Sequence, residues 1–178
     1  MRTTILSLLL LSSLHAYPQF LVSKTATISF FSSTPVEDIA AVSKTGSSAI
    51  NPKTGDILFK VNNTSFRFEK KMMQEHFNEN YMESDRYPTS EFRGKITDPV
   101  DYSKAGTYQV TVKGTLNVHG VTKSYQVPAT LTVNGTQISA ACTFNVSVAD
   151  HKIKIPSLVI KNIAEVMQVK VSATYQKN

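Results

Sequence analysis

Residues 108–148 alternate apolar and polar side chains with a period of two, and the phase of that alternation reverses twice. In Tyr108-Gln-Val110-Thr-Val112-Lys-Gly114-Thr-Leu116-Asn-Val118 the even positions are apolar or glycine. After His119-Gly120 the apolar set becomes Tyr125, Val127, Ala129, Leu131 and Val133. After Asn134-Gly135 it becomes Ile138, Ala140, Cys142, Phe144, Val146 and Val148. A period of two marks strands with one buried face. A reversal at a two-residue loop with glycine second marks a tight hairpin. Each loop then fixes a register. His119-Gly120 pairs Val118 with Val121, hence Val112 with Val127 and Val110 with Ala129. Asn134-Gly135 pairs Val133 with Thr136, hence Leu131 with Ile138, Val127 with Cys142 and Tyr125 with Phe144. Every inward position meets another, and a slip of one residue would turn an apolar set outward. His119 falls in the polar phase, where the turn needs positive φ, and histidine is enriched in that conformation. The sequence therefore reads it as a turn residue.

The same strand pattern covers residues 20–31, 36–48, 56–61, 66–68, 89–96 and 164–175, with a turn over 51–55. One segment departs from it. In EKKMMQEHFNENYM, residues 69–82, Met73, Phe77 and Tyr81 recur every fourth residue on one face of a short helix. Pro156 interrupts the chain before 157–163, read as a helical turn. The pattern predicts an all-β fold, an antiparallel up-and-down barrel of about eight strands with one main short helix. A barrel of that size is filled by side chains or holds one small ligand. Gly94, Gly114, Ala129 and Ala140 leave space among larger inward neighbours. A filled and a hollow barrel have the same periodicity.

The first sixteen residues, MRTTILSLLLLSSLHA, form a basic start, an apolar run and a small residue before a cut. This is the form of a secretory signal peptide, with cleavage after Ala16 and one domain over 17–178. The run is far shorter than the roughly 20 residues needed to span a bilayer, and no second one follows. The export signal predicts a periplasmic or secreted protein. Without Arg2 the chain carries eighteen Lys and Arg against thirteen Asp and Glu. These cations are scattered, with Lys70-Lys71 the only adjacent pair, so no stripe suits a nucleic acid. A single cysteine, Cys142, excludes an internal disulfide. Its inward phase predicts a buried, inert thiol.

No reactive constellation emerges. His76, His119 and His151 form neither H-x-x-x-H nor H-E-x-x-H, so no spacing suggests a metal site. No G-x-S-x-G, S-x-x-K or Gly-rich phosphate loop is present. Glu75-His76 and Asp150-His151 are adjacent in sequence and so point apart. No cofactor is expected. The inward face is left as the candidate site, with Val110, Val112, Leu116, Tyr125, Val127, Leu131, Ile138, Phe144 and Val146 as wall. Met73, Phe77 and Tyr81 are the candidate lid.

"YPTSEFRGKI" (87–96), "GTLNVHGVTKSY" (114–125) and "FNVSVADHKIKIP" (144–156) resemble the YceI-like family, and the L-x-V-H-G-V-T-K hairpin is the most specific mark. The likeness runs over nearly the whole chain after the leader. Residues 73–88 resemble the family's helix, but Met73-Gln74 stand where its better-known version has an Arg-Asp pair. The stretch from His76 to Tyr87 is also one residue shorter, so no role for the helix's polar residues is carried over. The resemblance implies a lipocalin-like barrel whose apolar pore holds an isoprenoid lipid or quinone-like ligand. It also implies export and no enzyme activity. A homodimer is compatible with it. Two other readings compete: a solid-core barrel acting in stress response or surface interaction, and an exported enzyme using His76 or His151.

Overall fold

The computed structural model describes residues 20–156 and 163–177. The proposed leader and nearly all of the proposed helical turn at 157–163 lie outside them. The strands are β1 (Leu21–Ser33), β2 (Asp38–Ile50), β3 (Asp56–Asn62), β4 (Arg67–Phe68), β5 (Thr89–Ile96), β6 (Gly106–Val118), β7 (Val121–Asn134), β8 (Gln137–Ser147) and β9 (Val166–Gln176). Between β4 and β5 lies α1 (Lys71–His76), which runs straight into a π turn at Phe77–Tyr81. The wider turn is closed by Met82 N–H donating to the Phe77 carbonyl, five residues back, at 2.8 Å. Such turns recur at functional sites.

All pairings are antiparallel, in the order β1-β9-β8-β7-β6-β5-β3-β2, and β1 pairs with β2 as well. That last pairing closes eight strands into an up-and-down barrel. The two-residue β4 is an appendage on β2. Alternation thus gives each strand an inner and an outer face.

The β6–β7 register is the expected one, with Val118 opposite Val121 and Val112 opposite Val127. His119 and Gly120 both have positive φ, at 51° and 70°, as a type I′ turn requires. The β7–β8 register differs from expectation by two residues. Asn134 pairs with Gln137 and Ala129 with Cys142, so the loop is Gly135-Thr136. Only Gly135 takes positive φ there. A glycine first in a two-residue loop is the II′ pattern, and it outcompeted the Asn-Gly reading. A shift of two preserves the faces.

Two poles result. At one, Leu21, Ile50, Val133, Ile138 and Tyr175 pack into a dense plug, and the Tyr175 hydroxyl bonds Ser48 Oγ at 2.7 Å. At the other, β2 loses its partner. β3 pairs with residues 47–50 of β2, and β4 only with Ala41 and Val42. A 3-10 turn at Asn63–Ser65 bridges the gap, tied to β2 by Ser65 Oγ and Ser43 Oγ at 2.7 Å. Asn63 is fully buried. Its amide donates to the Tyr87 carbonyl (2.6 Å) and its Oδ1 accepts from Ser90 Oγ (2.8 Å). These bonds satisfy its buried polar atoms and seat the helix across that pole.

Candidate functional site

A cavity of about 330 Å³ runs from the helical pole down to the plug. Native cores hold few voids larger than a water, so this barrel is hollow. Val110, Val112, Leu116, Val127, Leu131, Phe144 and Val146 line it, as do Met73, Phe77 and Tyr81 from the helical segment. Tyr125 and Ile138 do not. Ile138 is inward but belongs to the plug, with no exposure at all. Tyr125 is drawn aside, its hydroxyl 3.0 Å from His151 Nε2. Alternation gives the face of a residue and not its depth.

The sequence reading missed the wall from β9, where Met167, Val169 and Val171 line the cavity. Their alternation was readable, but no hairpin tied them to a register. It also missed an aromatic cluster at the mouth. Phe30, Phe66 and Phe68 surround Phe77, with ring centroids 5.1–5.6 Å from it. Contacts of this kind add to area burial and hold the π turn over the opening.

Gly94 and Gly114 face each other across β5–β6. A Cβ on Gly94 would stand 2.6 Å from the Phe92 ring. The glycines therefore make a bare patch on which Phe92 lies while still lining the cavity.

Polar side chains lie towards the rim, where half-buried Glu37 and exposed His76 line the cavity. Lower down, Cys142 lines the wall. Burial pushes its thiol up to about 11, so it is protonated and unreactive at neutral pH.

A sequence profile of the YceI-like domain matches residues 15–175. The chain belongs to the YceI-like family. Solved structures share its barrel. A polyisoprenoid binding domain from Saccharophagus degradans, implicated in plant cell wall breakdown, has a TM-score of 0.74 at 15% identity, covering 89% of this chain and 98% of its own. BcnA of Burkholderia cenocepacia has a TM-score of 0.70 at 18% identity, covering 84% and 95%. The YCEI protein of Campylobacter jejuni has a TM-score of 0.62 at 14% identity, covering 78% and 85%. No curated protein matches the chain.

His119 and His151 hold the mouth of this YceI-like barrel together. His151 is fully buried. Its Nδ1 meets the Val121 carbonyl at 3.0 Å. A carbonyl can only accept, so Nδ1 carries a proton and donates to it; in the neutral ring Nε2 is then left to accept from Tyr125. His119 does more than turn the hairpin. Its Nε2 lies 3.1 Å from Glu83 Oε1 and its Nδ1 3.3 Å from the His151 carbonyl. The Tyr87 ring meets it edge-on, with centroids 4.7 Å apart. One side chain thereby joins the loop after the π turn, the β6–β7 tip and the loop after β8. The hydrogen bond from His119 is the main reason the Glu83 carboxyl lies below its ordinary value. The His76 side chain makes no hydrogen bond to a described residue, and no group of three metal-binding side chains converges among the described residues.

Proposed function

We propose that this protein binds an amphiphilic lipid with an isoprenoid tail, of polyprenyl or quinone type, and works as an exported carrier or store in the periplasm or outside the cell. The observation that carries this reading is the apolar cavity, blind at the plug and open at a rim that holds its polar groups. Such a space offers an apolar chain burial along its length and leaves a polar head at the water. Burial contributes roughly 0.8 kcal/mol per methylene, and ordering a flexible tail offsets much of it. The polyisoprenoid binding domain of S. degradans shares the barrel, which favours an isoprenoid over a straight acyl chain. The apolar run before Ala16 supports export.

Native mass spectrometry of protein purified without detergent tests the reading, followed by titration with a prenyl quinone. Co-purified or titrated prenyl lipid at one per chain is the expected result. A chain that stays empty and takes up straight fatty acids as readily as prenyl quinone would overturn it.

A further inference from the structure

The described residues keep six large apolar side chains well exposed: Phe20, Val22, Phe31, Val36, Met72 and Val166. Phe20 and Val22 lie at the plugged pole. The other four lie at the mouth. Val36 is in the β1–β2 turn and Met72 in the first turn of α1, at 60% and 63% exposure. Phe31 and Val166 share the outer face of β1 and β9, since Phe31 pairs with Gln168.

These side chains are held out by ordered structure. Thr34 Oγ1 accepts from the backbone N–H groups of Val36 and Glu37, at 3.3 and 3.1 Å. Lys70 Nζ then meets Glu37 Oε1 at 2.6 Å, tying the Val36 turn to the helix that carries Met72. Beside the two apolar tips Lys70 meets Glu37 and Lys71 meets Glu75 at 3.3 Å, while Asp38 accepts from Ser33 Oγ and Glu69 adds a further carboxylate. The platform is therefore apolar at its tips with a small excess of carboxylates beside them, which disfavours an anionic lipid surface and fits one without net charge.

We propose that the mouth pole seats on a zwitterionic phospholipid bilayer, with Val36 and Met72 inserted into the interface. Side chains on such tips reach the boundary between head groups and acyl chains. Glu37, next to Val36, and Met73 and His76, on the helix that carries Met72, line the cavity. A prenyl tail would then pass from bilayer to cavity without crossing water, and only this transfer step rests on the lipid-binding reading.

The test is sedimentation of the purified protein with phosphatidylcholine–phosphatidylethanolamine vesicles. Three variants accompany the parent: Val36→Glu/Met72→Glu, the milder Val36→Ser/Met72→Ser, and Val22→Glu at the far pole. Thermal melts verify that each is folded. The docking face predicts that the Glu pair lowers the bound fraction by about tenfold or more, that the Ser pair lowers it less, and that Val22→Glu leaves it unchanged. About 0.5 M salt should change binding by less than about twofold, and added phosphatidylglycerol should not raise it. No binding by the parent, equal loss in Val22→Glu, or binding abolished by salt would overturn the proposal. Prenyl quinone binding in vesicle-free buffer is measured alongside. Quinone uptake without vesicle binding defeats the docking face and leaves the lipid-binding reading standing; vesicle binding without quinone uptake does the reverse.

Discussion

Replacing Val127 by tryptophan puts the hollow barrel to a quantitative test. Val127 is 4% exposed, pairs with Val112 and lines the cavity. The change adds about 90 Å³, three times a water's share of liquid volume. That is comparable to one five-carbon isoprene unit. A displaced unit forfeits about 4 kcal/mol of gross burial at roughly 0.8 kcal/mol per carbon. If ordering had offset half of it, about 2 kcal/mol is lost, a weakening of roughly 30-fold. The fold has room for the indole, so stability should stay within about 1 kcal/mol and Tm within roughly 2–4 °C. In a filled core the same change would overpack and cost about 1–3 kcal/mol. The natural chain has no tryptophan, so the new indole is the sole reporter of its own site. Blue-shifted emission, quenched by a prenyl quinone only at high concentration, is the expected spectrum. Parent-like quinone affinity with a blue-shifted indole would refute the reasoning, and so would a Tm loss near 10 °C.

Other expectations follow from the mouth and the wall. His119→Asn keeps a residue that tolerates positive φ but gives up the bonds to Glu83 and the His151 carbonyl, so it should cost about 1 kcal/mol in chemical denaturation. Gly120→Val should cost more, about 2–3 kcal/mol, because φ is 70° and a Cβ would stand 2.5 Å from the Tyr87 ring. The Glu83 carboxyl titrates below its ordinary 4.5 in the folded protein. Its contribution is complete above that value and fades as pH falls through the lower folded value; a Glu83→Gln variant should lose the corresponding step in an acid-stability profile. Cys142, pushed up to about 11, should react with a thiol reagent at pH 8 on the order of 100-fold slower than free cysteine.

The hairpins show how far the sequence was legible. Alternation and His119-Gly120 fixed β6–β7 residue by residue, because pattern and turn chemistry agreed. At β7–β8 two turn signals overlapped, Asn134-Gly135 and Gly135-Thr136, and local sequence does not rank them. The inward face survived because the discrepancy was two residues. Depth was not legible: Ile138 and Leu131 share a phase and are both buried in one apolar cluster, yet only Leu131 lines the cavity. Hollowness was not legible either, since it depends on how far apart the walls stand. The contacts of His119 with Glu83 and His151 join residues more than thirty positions apart, and no periodicity carries that information. The helical face of Met73, Phe77 and Tyr81 did reach the cavity, although a π turn replaces a continuous α-helix.

The seam between β1 and β9 sets the order in which this molecule can become whole. Every other pairing among the eight barrel strands joins strands that follow one another along the chain, whereas the seam joins Thr27 to Ser172. Closing so long a span is entropically costly and slow, so the wall should assemble as an open, curved trough before it shuts. During that interval the inner face lies bare along its full length. An oily chain resting in the trough could be enclosed sideways as the seam zips, with no need to thread past the ring of phenylalanines.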